Sequence, residues 1–305
     1  MLGNLILVFT AVIWGLGFAW QRRGMEDIGP VTFTASRELI SAVFIGIVAA
    51  LLGLRSRPSR ALMKAEELKE YKRNTVAGGI CCGVFLVAAT LFQQIGIVYT
   101  SAGKAGFITA MYMLMVPVIG FVVFRKRNTW LVWLAVFIGV AGMYLLCITG
   151  RFTLSKGDAL ECVCALLYSC HILCCDRFAP KGDPVTISAI QFAVATVIAT
   201  VLAFIFETPS MDQIMLAIQP ILYCGFVSGG MGYTLQIVGQ SFTDPTPAAL
   251  IMSLEAVFAV LGGAVMLHER MSGREILGCV IMFVAIILVQ IPLPLKERKA
   301  ETAVE

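Results

Sequence analysis

Ten apolar stretches, each close to the length of a bilayer-crossing helix, recur along the 305 residues and leave few folds open. They occupy 2–20, 31–54, 75–98, 102–124, 129–149, 158–178, 184–206, 213–238, 246–267 and 274–293. A helix rising 1.5 Å per residue needs about 20 apolar residues to cross a hydrocarbon core of about 30 Å. Within lipid every backbone polar group must be satisfied internally, which leaves helices or a closed barrel. Barrel strands are shorter and alternate apolar with polar residues. These stretches are long and continuous, so an all-α integral membrane protein with ten transmembrane helices is predicted. With 59% hydrophobic and 14% charged residues, the chain has more apolar surface than a water-soluble core requires. The net charge of +4 is not a nucleic-acid signal, because the basic residues sit in loops flanking the spans, and no nucleic-acid partner is expected. The first stretch lacks a basic leader and carries Trp14-Gly15 where a cleavage signal would not, so it reads as the first membrane helix.

Orientation follows from the Lys and Arg distribution. Fifteen of the 23 basic residues fall on the side of the N-terminus, among them Arg55, Lys64, Arg73, Lys126, Lys181 and Lys296. Seven fall on the other side, and Arg37 lies within a span. Both termini are therefore expected in the cytoplasm. The charged stretch 55–74 is expected as a surface helix outside the hydrocarbon, and the charged tail from Leu295 as disordered.

The two halves resemble each other. A shift of 143 residues lays Gln93 on Gln236, Gly96 on Gly239, Thr100 on Thr243, Gly120 on Gly263 and Arg127 on Arg270. A shift of 154 lays Pro30-Val31-Thr32 on Pro184-Val185-Thr186. Five spans per repeat is an odd number, so the second repeat is inverted relative to the first, the arrangement that supports alternating access in secondary transporters. The expected division is a first five-helix repeat at 1–150, a second at 151–294 and a cytoplasmic tail at 295–305.

Charged and polar residues inside spans are costly in lipid and are candidates for function. Glu255 lies about ten residues into the ninth segment, roughly 15 Å deep. It holds either a substrate ammonium or coupling proton, or a fixed partner that sets helix packing. Arg37 and Glu38 sit about 9–10 Å inside the second span and point about 100° apart, so both cannot face one cavity centre. Arg37 either reaches a cavity or snorkels to the interface, and Glu38 either reaches a cavity or pairs with a neighbour. In the sixth span Glu161, Cys164, Tyr168, His171 and Cys175 share one helical face, with Glu161 near enough to the span's start to be hydrated. Trp14 offers an aromatic wall, and Gln93 and Gln236 need hydrogen-bond partners if buried. The ten cysteines all fall in apolar segments and read as small apolar residues, not a disulfide framework. His171 with nearby cysteines is compatible with metal binding, but the spacings match no zinc-finger pattern, and no metal is expected. No nucleophile–base constellation, P-loop or dinucleotide fingerprint is present, so neither an enzyme nor a cofactor is expected.

Several elements resemble the drug/metabolite transporter superfamily in its ten-helix EamA branch. They are Trp14-Gly15, the Pro30…Arg37 spacing, the small-residue run Thr100-Ser101-Ala102-Gly103-Lys104-Ala105 followed by Pro117, and Ser253-Leu254-Glu255 with Glu269-Arg270 and Gly278. Ala256 stands where the family often has proline after the acid, and Glu38 where it usually has an apolar residue. The resemblance covers nearly the whole chain. It implies two inverted five-helix repeats around a central cavity that moves small organic solutes such as amino acids, metabolites or drugs. The function expected is a secondary transporter, an exporter in the cytoplasmic membrane, with proton coupling as an option. The rival is an intramembrane metal-handling protein or enzyme using the sixth-span His and Cys residues. Residues expected to bind substrate or a coupling ion are Trp14, Arg37, Glu38, Gln93, Tyr168, His171, Gln236 and Glu255; the partners are a small-molecule substrate and the lipid bilayer.

Overall fold

The computed structural model describes residues 2–55, 63–100, 102–126, 128–147, 155–258, 272–289 and 291. His268, Glu269, Arg270 and the expected tail lie outside the described residues. All the described secondary structure is helical. In chain order the elements are α1 (Leu2–Gly24), α2 (Pro30–Arg55), α3 (Ala65–Tyr99), α4 (Ala102–Thr109), α5 (Tyr112–Phe124), α6 (Trp130–Cys147), α7 (Lys156–Phe178) and α8 (Pro184–Phe206). There follow α9 (Met211–Leu216), α10 (Ile218–Leu222), a π-helical segment (Tyr223–Tyr233), α11 (Thr234–Gln240), α12 (Pro245–Met252) and α13 (Gly273–Val289). Seven helices among the described residues are long and apolar enough to cross a membrane, and three shorter apolar helices run over Trp130–Leu145, Pro245–Phe258 and Ile276–Val289.

Helix starts are set by local chemistry. Pro30, Pro184 and Pro245 open α2, α8 and α12, where a missing N–H costs nothing. Asp183 caps α8 by accepting from the Thr186 N–H at 2.9 Å. Ser155 and Asp158 cap α7 reciprocally. The start of α2 is capped from a distance: Glu207 accepts from the Val31 and Thr32 N–H groups at 3.0 and 2.8 Å.

The structure differs from expectation in three places. Of the charged stretch 55–74, residues 56–62 lie outside the described residues, and residues 65–74 are helical as expected but run on into the third span as the opening turns of the 35-residue α3. The fourth span is broken at Ala110–Met111, between α4 and α5. The ninth is broken at Ser253–Leu254, with helix resuming at Glu255. Both breaks tighten in the same way: Met111 N–H bonds Ile108 O and Leu254 N–H bonds Ile251 O, each at 3.1 Å, three residues back instead of four.

The helices turn their polar residues inward, together with part of the large apolar ones, and leave continuous stripes of large apolar side chains outside. On α2, Leu39, Val43, Ile47 and Leu51 recur every four residues and are all about half exposed or more, while Arg37, Glu38, Ser41 and Ile45 on the other side are buried. In water such a stripe would be an association surface; against lipid tails it is the expected exterior. Inside, α3 packs on α7 and α8, α2 on α8, α6 on α13, and α1 on the π segment, α11 and α12.

Candidate functional site

Between α1, α2, α3, α7, the π segment and the two helix breaks lies a small pocket. Trp14, Arg37, Gln93, Tyr168, Gln236 and Glu255 line it, as do Thr109, Tyr112, Ser228 and Tyr233. Six of the eight residues singled out in the sequence thus share one wall. Glu38 and His171 do not line it.

The two broken helices meet here. Tyr112 and Glu255 are each the first helical residue after a break, and the Tyr112 hydroxyl donates to Glu255 Oε1 at 3.0 Å. Both residues are buried in the bundle directly after the turn of their own break. Glu255 has no ion-pair partner among the described residues, and its residue is only 4% exposed. The Ser253 hydroxyl donates to the Leu250 carbonyl at 2.7 Å, occupying an acceptor that the tightened turn leaves without its usual N–H.

Arg37 does not snorkel to the interface. It is buried, its guanidinium lies 5.9 Å from the Phe33 ring centroid, and its Nε sits 3.6 Å from Glu38 Oε1. Its ion-pair partner is therefore its chain neighbour and not Glu255. Arg37 Nε and one terminal nitrogen have no hydrogen-bond partner, and neither has Glu38 Oε2. The pair cancels in charge while leaving donors at the pocket wall. The π segment closes that wall. Its Gly225 sits where a side chain would strike the Arg37 carbonyl and Ile40, and the Ser41 hydroxyl reaches the Gly225 carbonyl at 2.7 Å. The Trp14 indole N–H donates to Ser228 O at 3.1 Å, and its ring packs on Tyr233 with centroids 4.7 Å apart.

A hydrogen-bonded chain leads away from the pocket. Tyr233 and Tyr168 hydroxyls are 2.7 Å apart; Tyr168 donates to Gln93 Oε1, Gln93 Nε2 to Thr109, and Thr109 to Glu161 Oε2 at 2.8 Å. Because Tyr168 spends its proton on Gln93, Tyr233 is the donor in the tyrosine pair. Glu161 is fully buried, not hydrated at a span end. It fits because Gly96 has no side chain: a Cβ there would lie 2.6 Å from Glu161 Oε1. Gln236 donates to Gln240, which donates to Ile172 O, both at 3.0 Å, and leaves its own carbonyl oxygen unpartnered. His171 sits behind the pocket with Nε2 3.0 Å from Gln191 Oε1.

The model of the EamA-like transporter family matches residues 1–148 and again 155–291. The chain belongs to that family. It is a multi-pass membrane transporter of the drug/metabolite transporter group. An uncharacterized transporter of Archaeoglobus fulgidus is 25% identical over 292 residues, covering 94% of this chain and 85% of that protein. The uncharacterized transporter YoaV of Bacillus subtilis is 23% identical over 284 residues, covering 90% and 92%. A solved crystal structure superposes with a TM-score of 0.73 at 17% identity, over 94% of this chain and 96% of that one, a likeness of fold alone.

The sequence reading of this EamA-like chain missed Tyr112, Thr109, Ser228 and Tyr233. Tyr112 carried a signal: the 143-residue shift lays it on Glu255. Tyr233 and Ser228 carried none, because their inward aim depends on the π turn, whose spacing the ordinary helical period does not give.

Proposed function

We propose that the chain is a secondary transporter that exports small organic solutes across the cytoplasmic membrane by alternating access, driven by protons. The observation that carries the reading is Glu255, set at the meeting point of two broken helices on the pocket wall. Discontinuous helices around a central site are the usual construction of transporter binding sites. Arg37 and Glu38 neutralise each other, so Glu255 gives the pocket its net negative character. A single carboxylate that holds either a proton or a substrate cation, but not both, couples the two flows in opposite directions. With protons entering, such a device exports.

Two inverted five-helix repeats form the proposed frame, at 1–150 and 151–294. The two segments matched by the family model support it. So do paired contacts. A Cβ at Gly3 would lie 2.9 Å from Gly239 O, and one at Gly157 would lie 2.8 Å from Gly96 O. Thr243 donates to Asn4 Oδ1, and Thr100 donates to Asp158 Oδ1. A Cβ at Gly225 would meet Arg37 O and Ile40, and one at Gly83 would meet Gln191 O and Val194. Each pair maps onto the other by a shift of 154 on one partner and 143 on the other, except that Gly83 and Gly225 are 142 apart. The π turn absorbs the extra residue.

Orientation with both termini in the cytoplasm rests on the Lys and Arg distribution. Lys126 bonding Asp176 at 2.6 Å and Thr75 accepting from the Asp183 N–H at 3.0 Å support only that the basic loops share one end. Single cysteines introduced at Ser59 and Ser272, in a cysteine-replaced background, should label from opposite sides of sealed cells.

The decisive experiment is Glu255→Gln in proteoliposomes with an imposed pH gradient. Solute flux should lose its dependence on the gradient and fall at least tenfold, a difference of about 1.4 kcal/mol. The protein should remain monodisperse in detergent. Wild-type flux with an unaltered pH profile would refute the assignment.

A further inference from the structure

Behind the pocket, between α3 and α7, three side chains with metal-ligating atoms converge: Cys82, His171 and Cys175. We propose that they form a binding site for a divalent d10 cation of the zinc class.

The geometry carries the assignment. All three ligand atoms lie within 4.8 Å of one another, and all three residues are 0% exposed. Cys82 Sγ and Cys175 Sγ are 3.8 Å apart, and Cys175 Sγ is 3.8–3.9 Å from the two ring nitrogens of His171. A tetrahedral zinc ion with Zn–S of about 2.3 Å and Zn–N of about 2.0–2.1 Å sets its sulfurs about 3.8 Å apart and sulfur from nitrogen about 3.6 Å apart. The sulfur–sulfur separation matches, the Cys175–His171 separation is within about 0.3 Å of the ideal, and Cys82 and His171, within 4.8 Å, need only a side-chain adjustment to close on the ion. The orientation of the imidazole is also held from behind, since Nε2 lies 3.0 Å from the Gln191 amide oxygen. With the Nε2 proton donated there, Nδ1 is left as the ligating nitrogen. A carbonyl partner on the far ring nitrogen is the habitual support of a metal-bound histidine.

Charge selects the valence. Two thiolates and a dication sum to zero, so the loaded site places no net charge in a low-dielectric interior. A monovalent soft ion would leave one uncompensated negative charge, which burial penalises. Loading releases the two thiol protons. Sequence spacing could not give this site, because Cys82 comes from α3, 89 and 93 positions before its partners. Cys164, which shares the helical face of His171, turns instead toward Thr109 at 4.0 Å. A bound ion would clip α3 to α7 and restrain their relative movement.

The test uses the purified full-length protein, with metal supplied both during expression and after purification. With Co2+, the wild type should develop thiolate-to-cobalt charge-transfer absorption that one equivalent of Zn2+ removes. Cys82→Ser/Cys175→Ser should abolish the band. Cys81→Ser/Cys174→Ser, which alters the neighbouring pair whose sulfurs are 3.5 Å apart, should keep it. The zinc-edge X-ray absorption spectrum of the wild type should contain two sulfur neighbours, and this decides the matter even if a variant fails to fold. No band in the wild type, a zinc shell without sulfur, a band that survives Cys82→Ser/Cys175→Ser, or one lost in Cys81→Ser/Cys174→Ser would each overturn the assignment.

Discussion

The two halves of the molecule agree where helices touch and disagree where the pocket opens. At the close contacts, glycine meets a backbone carbonyl in both: Gly3 against Gly239, and Gly157 against Gly96. At the pocket the matching positions diverge. The first half presents Trp14, Gly17, Arg37 and Tyr112; the second presents Tyr168, His171, Gln191 and Glu255. In the second half His171 bonds Gln191 and both stay behind the wall. In the first half the shift of 154 puts Gly17 at the position matching His171, and Arg37 reaches the wall. Close backbone approach tolerates almost no change of volume, whereas a pocket wall can change chemistry as long as each buried polar group finds a partner. The proposed repeat is thus preserved in packing and spent on asymmetry of charge.

The largest effect expected from erasing that asymmetry is at Arg37. Arg37→Gln gives the first half the residue of the second and leaves Glu38 buried beside a neutral amide. Removing one partner of a buried ion pair typically costs about 3–5 kcal/mol, because the other charge is left uncompensated. Thermal unfolding in detergent should drop accordingly, and Arg37→Gln/Glu38→Gln should recover most of the loss. A stable single variant would mean that the two side chains do not depend on each other. Next come the glycine contacts. Gly3→Val and Gly157→Val each push a side chain onto a facing carbonyl and should destabilise by about 1–3 kcal/mol. If the halves are equivalent in packing, the two losses agree; a large loss at Gly157 with none at Gly3 would break the comparison.

Much of the fold was legible because lipid imposes a simple rule on sequence. Long apolar stretches must be helical, and proline at 30, 184 and 245 marks where helices start. The breaks at Ala110–Met111 and Ser253–Leu254 were not legible. No glycine or proline occupies either break, and alanine, methionine, serine and leucine are all at home in helices. What goes with them is a tertiary contact that local sequence does not encode: the residues that follow the two breaks, Tyr112 and Glu255, bond each other. In the site, Glu255, Arg37, Trp14, Tyr168, Gln93 and Gln236 stood out because polar or aromatic groups deep in a span are rare. Which partner each takes was beyond the sequence. Helical phase separates Arg37 from Glu38 by about 100°, yet their long side chains bend toward each other across that angle.

Tyr112→Phe removes the bond across the two breaks and nothing else of comparable size. A net hydrogen bond is worth about 0.5–1.5 kcal/mol. Transport should fall by a factor of a few, with folded yield unchanged. The comparison sharpens if Tyr112→Phe loses flux without losing stability, since a bond that only joined the helices would affect stability first. Equal flux with lowered thermal stability would assign Tyr112 to packing alone.

The smallest expected effect concerns the matched pair at the helix starts. Thr243 donates to Asn4 Oδ1 at 3.1 Å, and Thr100 donates to Asp158 Oδ1 at 2.7 Å. The second acceptor is used differently. Asp158 Oδ2 also accepts from the Ser155 N–H at 2.6 Å, completing the reciprocal cap of α7. Asp158→Asn keeps one carbonyl oxygen and must give up one of the two bonds, because an amide NH2 cannot accept. The loss of a capping interaction is worth about 0.5–2 kcal/mol. Asn4→Asp retains an oxygen for Thr243, so the bond that matches Thr100–Asp158 survives, and its loss should be smaller than that of Asp158→Asn. Thermal unfolding of the two variants side by side measures the difference directly. If Asn4→Asp proves the more damaging of the two, the helix starts are not equivalent, and the resemblance of the halves at this point is one of sequence only.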